Sequence, residues 1–195
     1  MEFCECKRKK ERKNGIFLCP DCDISKHVIE DKVIWERNSN NNISKLRNDS
    51  SFQFDKDQFY LKKEIWQELN LSNQGGIRFN KDKNLLVIFM DAPELYRKPN
   101  HGNNIYHDTF DNETGLYQYT GAGQSGPQTL DRENGWLVNA EQNNTSIHFF
   151  RQFHVDQKHQ YIGQVQVEKI ISSHQPDYTG EKRMVYVFYL KPMIK

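Results

Sequence analysis

The sequence predicts an α+β domain: a curved mixed β-sheet, or partial barrel, with flanking helices, preceded by a small cysteine-rich appendage. Three observations carry this. Strand-length runs rich in β-branched and aromatic residues recur from residue 85 onward, at Leu85–Met90, Ile147–Phe153, Tyr161–Ile171 and Met184–Leu190. One stretch near residue 60 instead repeats its apolar residues at helical spacing. All four cysteines fall within the first 22 residues.

In chain order, the appendage comes first, over residues 1–36. Its cysteines form Cys4-x-Cys6 and Cys19-x-x-Cys22, and in a cytosolic chain such clustering reads as a structural Zn2+ site of four thiolates, with free structural thiols as the other reading. Between the pairs, Lys7-Arg8-Lys9-Lys10-Glu11-Arg12-Lys13 holds six cations in seven positions. Such a run suits phosphate contacts, or equally a solvated face. Val33-Ile34-Trp35 predicts a short strand closing the appendage. Residues 37–57 form a linker and lead-in, with the polar run Asn38 to Asn42 inside it.

The main domain is expected over residues 58–195. Asp55 and Gln58 look like a capping box, and Phe59, Leu61, Ile65, Trp66 and Leu69 follow at helical spacing, so a helix is predicted from about Asp57 to Leu69 with Trp66 in the core. In Tyr161-Ile162-Gly163-Gln164-Val165-Gln166-Val167, apolar Tyr161, Val165 and Val167 alternate with polar partners, as a half-buried strand requires. His148 falls in a strand and reads as structural.

Bulk properties narrow the function. An apolar content of 36% with 12% aromatics supports a packed core in 195 residues. No run of 18 apolar residues occurs, and the charged start lacks the apolar segment of a signal peptide, so a cytoplasmic location is expected. The net charge of +1 gives no global attraction to nucleic acid, so any such binding rests on local basic patches.

The stretch from Ile105 to Asn139 is the most informative. It carries Tyr106, Asp108, Tyr119 and the Gly-rich run Thr120-Gly121-Ala122-Gly123-Gln124-Ser125-Gly126-Pro127-Gln128. Neither a P-loop nor a dinucleotide fingerprint is present. An aromatic pair, one carboxylate and a flexible loop suit a planar, partly polar ligand such as a nucleobase, stacked on rings while the carboxylate accepts from its amino group. Thr109 competes with Asp108 for that place, because the turn Asn112-Glu113-Thr114-Gly115 can absorb an insertion. His101 and His107 bracket Asn103 and Asn104, but one short loop does not make a nuclease metal site.

The series Y-x-D, Y-x-Y-T-G-x-G, G-x-Q and an Asn a few residues further on resembles the SRA domain, a reader of 5-modified cytosine that flips the base out of the duplex. It looks closest to the SRA-like module beside HNH nucleases in McrA-like type IV restriction enzymes. The resemblance runs over roughly residues 58 to 192, taking in Tyr60–Ile65, Gly75-Gly76-Ile77, Leu85–Met90, Ile147–Phe150, Tyr161-Ile162-Gly163 and Arg183–Pro192. It implies a PUA-like partial barrel. It also implies that Tyr106 and Tyr119 stack on the base, with Asp108 or Thr109 and Thr120 lining the pocket. Gly75, Gly76, Gly121, Gly123, Gln124 and Gln128 would then contact DNA, Gln124 and Gln128 filling the gap or touching the orphan base, with help from Lys7, Arg8, Lys9 and Lys10. The chain departs from the family at Pro127, where relatives carry Asp, losing a polar side chain and a backbone N–H.

Asn14 to Cys22 followed by His27 resembles the last part of an HNH finger. No histidine precedes Asn14 and position 23 is Asp, so a relic or mimic is expected. The chain ends at Lys195, just past the last predicted strand, with no HNH nuclease following; a nuclease on a separate chain is the expected partner. The leading reading is thus a binder of double-stranded DNA with modified cytosine, in restriction or phage defence. A compact nuclease using the N-terminal finger and an RNA-binding PUA-like protein are the alternatives.

Overall fold

The structure, a computed structural model, describes residues 32–37, 52–72, 75–92, 105–155 and 157–193, and the backbone of 11–13 and 16–18. The four cysteines of the expected zinc site, the cations Lys7, Arg8, Lys9 and Lys10, the Asn-rich run and His101 lie outside the described residues. Among the described residues, no group of three or more His, Cys, Asp or Glu side chains comes together as metal ligands. None of the described helices is long and apolar enough to cross a membrane.

Two short strands, β1 (Glu11–Lys13) and β2 (Ile16–Leu18), pair with each other as a hairpin. The other strands form one mixed sheet. They are β3 (Lys32–Glu36), β4 (Phe59–Tyr60), β5 (Ile77–Asn80), β6 (Leu85–Met90), β7 (Thr109–Asp111), β8 (Leu116–Thr120), β9 (Ser146–Arg151), β10 (His159–Pro176) and β11 (Lys182–Pro192). Along the sheet the order is β5-β6-β9-β10-β11-β8-β7, with β3 and β4 also pairing with β10. Only β6 and β9 run parallel; the remaining pairs are antiparallel. The path ends at β5 and β7 rather than returning on itself, so the sheet is open, as a partial barrel is.

The unbroken apolar run of β6 has a simple cause. Successive strand side chains point to opposite faces, and here both faces are covered. Leu86, Ile88 and Met90 join the larger core with Phe149, Phe188 and Leu137. Leu85, Val87 and Phe89 join a second core with Ile65, Leu69 and Phe150. Helix α1 (Lys62–Glu68) covers the second face, and α2 (Arg132–Asn139) contributes Leu137 to the first. The Lys62 ammonium holds both Asp91 oxygens, at 2.8 and 2.7 Å, tying α1 to the end of β6. His159 Nε2 meets the same carboxylate at 2.7 Å.

Strand β6 has the predicted limits, β10 and β11 extend beyond theirs at both ends, and β9 starts one residue earlier but stops at Arg151, short of the predicted Phe153. The predicted helix starts too early. Phe59 and Tyr60 form β4, opposite Gln160 and His159, and Phe59 and Leu61 are about half exposed rather than buried in a helical stripe. The start of α1 is set instead by the Leu61 N–H donating to Glu64 Oε2 at 2.8 Å, the backward half of a capping box. The Asp55 N–H is taken by the Tyr60 hydroxyl, 2.9 Å away. Trp66 is half-buried against the second core. The strand around Val33-Ile34-Trp35 exists, but it pairs with β10. A boundary at residue 36 therefore cuts through the large sheet. Helix α2 has no counterpart in the sequence reading.

The Phe150 ring is fully buried and lies 5.7 Å from Phe89, 4.9 Å from Tyr161 and 5.4 Å from Phe54. Phe150→Ala is expected to cost about 3–5 kcal/mol, read from the urea midpoint at unchanged slope.

Candidate nucleic-acid interface

The motif residues gather where β8 leaves the sheet. Opposite Val187 the ladder of β8 on β11 ends at Thr120, and the chain turns into the Gly-rich loop. The loop follows β11: the Gly121 N–H donates to Tyr186 O at 2.8 Å, and the Gln128 N–H to Met184 O at 2.9 Å. Two buried amides hold it from within. Gln128 donates from Nε2 to Gly121 O at 2.6 Å while its Oε1 accepts the Tyr186 N–H at 2.8 Å. Asn134, on α2, accepts the Ala122 N–H at 2.7 Å and donates to Ala122 O at 3.1 Å and Thr129 O at 2.9 Å. A Cβ at Gly121 would fall 2.7 Å from Asn134 Oδ1 and 2.9 Å from Gln128 Oε1, so only glycine fits between them.

Across from this loop runs the strap Ile105–Asp108. Asp108 is buried at 9% exposure, and its Oδ1 accepts the Thr120 N–H at 2.7 Å. Burial pushes its carboxyl up to about 7, the bonds from Thr120 only partly offsetting the lost hydration. Thr120 is buried as well, its hydroxyl 3.1 Å from Gln175 Nε2. Gln175 Oε1 in turn takes the His107 N–H at 3.3 Å. Half-buried Tyr106 donates from its hydroxyl to Gly123 O at 3.4 Å, and its phenol is pushed above its usual range by burial.

The placements separate the competing assignments. Asp108 faces inward and Thr109 is exposed opposite Gln118, so the buried acid is Asp108. Asp111 belongs to the β7–β8 turn, where its oxygens take Glu113 N–H, Thr114 N–H and the Thr114 hydroxyl. Tyr106 is half-buried and bridges the strap to the Gly-rich loop, whereas Tyr119 is 5% exposed within the larger core. Of the two glycines just before β5, a Cβ on Gly76 would lie 2.4 Å from the Tyr119 hydroxyl, whereas one on Gly75 would meet the Arg78 side chain. Gln124 and Gly123 are exposed on the loop. Gln128 corrects the sequence reading. Its side-chain amide is engaged by Gly121 and Tyr186, which makes it a brace of the loop rather than a group free to meet an orphan base.

Two residues here were not singled out from sequence, and a third, Asn134, entered only as the asparagine that follows G-x-Q in the signature, without a role. Asn134 and Gln175 are the braces just described. Arg183 is 4% exposed on β11, donates from Nη2 to Ile105 O at 3.4 Å, and has Nε and Nη1 buried without a partner among the described residues. Its field acts on Tyr106, and burial lowers its own pKa. The only sequence signal was its place at the head of a predicted strand, where a buried cation is not expected.

A mixed open sheet thus carries, at one place, a buried acid, a half-buried tyrosine and a Gly-rich loop held by buried amides. Comparison makes this specific. The model of the family described as "ScoMcrA-like, SRA domain" matches residues 56–194, and the chain belongs to that family. The sulfur-binding and SRA domains of ScoMcrA, complexed with phosphorothioated DNA, superpose with a TM-score of 0.58 at 16% identity, covering 72% of this chain and 40% of that one. ScoMcrA described as a type IV phosphorothioation-dependent restriction endonuclease gives 0.53 at 16%, over 72% and 28%. The SUVH5 SRA domain with hemi-methylated CG DNA gives 0.51 at 22%, over 72% and 88%. This chain thus spans well under half of the ScoMcrA chains it matches. No curated protein matches it.

Two outcomes follow from this geometry. Gln128→Ala strands Gly121 O and the Tyr186 N–H, and is expected to cost about 1–3 kcal/mol, with faster amide exchange at Tyr186 as the local readout. Asp108 titrates at about 7 when folded against 3.8 when unperturbed. The folded chain therefore holds the extra proton between those values, and stability falls as pH rises through that window and levels off above it. Asp108→Asn, neutral throughout, should flatten this segment in urea midpoints taken from about pH 4 to pH 8.

Proposed function

We propose that this domain reads modified cytosine in double-stranded DNA by drawing the nucleotide out of the stack into the pocket between the Ile105–Asp108 strap and the Gly-rich loop. The observation that carries the reading is the buried Asp108 carboxyl, clasped by the Thr120 N–H, with Tyr106 near enough for the carboxylate field to act on its phenol. A cytosine offers an amino donor at N4 where thymine has a carbonyl, so an acceptor oxygen at Asp108 selects the first. A group with a pKa of about 7 is also partly neutral near neutrality, and the neutral acid has an O–H to offer the ring nitrogen beside that amino group.

Tyr106 provides the stacking face. Tyr119 lies deeper and stiffens the floor, its ring meeting the base only if the Gly75–Gly76 loop shifts from its hydroxyl. Extrusion costs a few kcal/mol, and stacking at about 1–3 kcal/mol per aromatic contact, with hydrogen bonds and phosphate contacts, offsets it. Enclosure on all sides makes a small added group at C5 readable. The family match, and the modified DNA bound by the ScoMcrA and SUVH5 domains of similar fold, support a place as the specificity part of a restriction system.

The test is a titration at two salt concentrations of matched duplexes carrying unmodified, methyl-, hydroxymethyl- or glucosyl-hydroxymethylcytosine, plus a phosphorothioated duplex, with Tyr106→Ala and Asp108→Asn beside the wild type. Preference for one cytosine modification, reduced about tenfold by Tyr106→Ala, is expected. Equal affinity for every cytosine duplex, unchanged in both variants, would sink the reading, and a preference for the phosphorothioated duplex alone would move recognition from base to backbone.

A further inference from the structure

Extruding a nucleotide leaves an empty step in the duplex, and a flipping protein gains by filling it with a flat, rigidly mounted group. Gln128 is committed to the loop, so this role falls elsewhere. The ladder of β10 on β11 closes with Gln175 opposite Arg183 and Pro176 opposite Lys182. Gln175 holds the His107 N–H and the Thr120 hydroxyl, and Arg183 holds Ile105 O. The last rungs of this hairpin therefore lie against the strap and Thr120, and Tyr178, two residues past them, projects by at most roughly 7 Å at the rise of an extended chain.

The tip, Asp177–Glu181, is stiff without outside help. Asp177 is buried, and its Oδ1 takes the Thr179 N–H at 2.7 Å, the Thr179 hydroxyl at 2.5 Å and the Glu181 N–H at 3.2 Å. Its own N–H donates to Glu181 O at 2.8 Å, and the Gly180 N–H closes onto Asp177 O at 3.0 Å. On this braced turn Tyr178 is 48% exposed, and exposed Lys182 follows on the same hairpin. An aromatic ring on a pre-ordered turn beside the pocket loses little freedom on insertion, and ring-on-base stacking tolerates any neighbouring sequence.

We propose that Tyr178, at the tip of the β10–β11 hairpin, enters the duplex at the step vacated by the extruded nucleotide, stacking on the flanking base pairs while Lys182 meets a phosphate. This rests on the flipping reading above. The pocket then selects the modification, and the tip stabilises the opened duplex.

The experiment titrates the full chain against two duplexes, each made with 5-methylcytosine and with 5-hydroxymethylcytosine. In one the modified cytosine faces guanine; in the other it is a single-nucleotide bulge, already outside the stack and leaving no vacant step. Tyr178→Ala is expected to weaken binding to the paired duplex by about tenfold or more and to the bulged duplex by less than about twofold, and Tyr178→Phe to keep both. Equal losses on the two duplexes would make the tip a general contact and overturn the proposal, as would an unchanged affinity for the paired duplex. If the wild type still prefers modified over unmodified paired DNA in either of those cases, the pocket reading stands and only the tip is lost. A wild type without that preference removes both.

Discussion

One strand, β10, makes backbone hydrogen bonds with four others, and the domain depends on its doing so. It pairs with β9, β11, β3 and β4 along its length. No straight strand serves that many partners. Its ladders shift register between Tyr161 and Gly163, between Val167 and Lys169, and between Ile170 and Ile171, and such irregularities bend and twist a strand. The curvature brings the far end of β10, with Gln175, under the strap that carries Asp108. The side chain that joins the strap to Thr120 is thus mounted on the most extensively bonded element of the fold.

The pocket itself is a small set of polar groups satisfied mainly by one another. Asp108, Thr120, Gln175 and the backbone of His107 form one chain of hydrogen bonds; Gln128, Asn134 and the Gly121–Ala122 backbone form a second. Buried amides and carboxyls are tolerated on these terms because each lost bond to water is replaced. Arg183 stands apart, with two buried nitrogens unpaired among the described residues. It places positive charge beside the strap, whose Ile105 carbonyl it holds and on whose Tyr106 its field acts.

How much was legible in the sequence follows from how local each interaction is. The run Leu85–Met90 declares a strand buried on both faces, and the alternation from Gln164 to Val167 declares a half-buried one; both signals are complete within a few residues. The start of α1 was misplaced because Phe59 and Leu61 fit the helical series that runs on to Leu69, yet the backbone of Phe59 and Tyr60 pairs with β10, about 100 residues away. Tertiary pairing overrode the local pattern. Helix α2 escaped because Arg132–Asn139 holds only Trp136, Leu137 and Val138 as apolar side chains and carries Gly135 inside. In the site, Asp108 and Tyr106 were legible as a motif. Gln128 was misread because its partner is the N–H of Tyr186, and nothing in Gly126-Pro127-Gln128 announces that bond.

Strands β6 and β9 lie side by side in parallel, with Leu85 opposite Ser146 and Met90 opposite Arg151. Parallel neighbours need a long crossover, and here the crossover is the chain that holds the strap, β7, β8, the Gly-rich loop and α2. The segment that holds Asp108 and the Gly-rich loop is therefore also the loop that this parallel pairing must close, and because closure entropy grows only slowly with loop length, each doubling of that segment costs only about 0.6 kcal/mol.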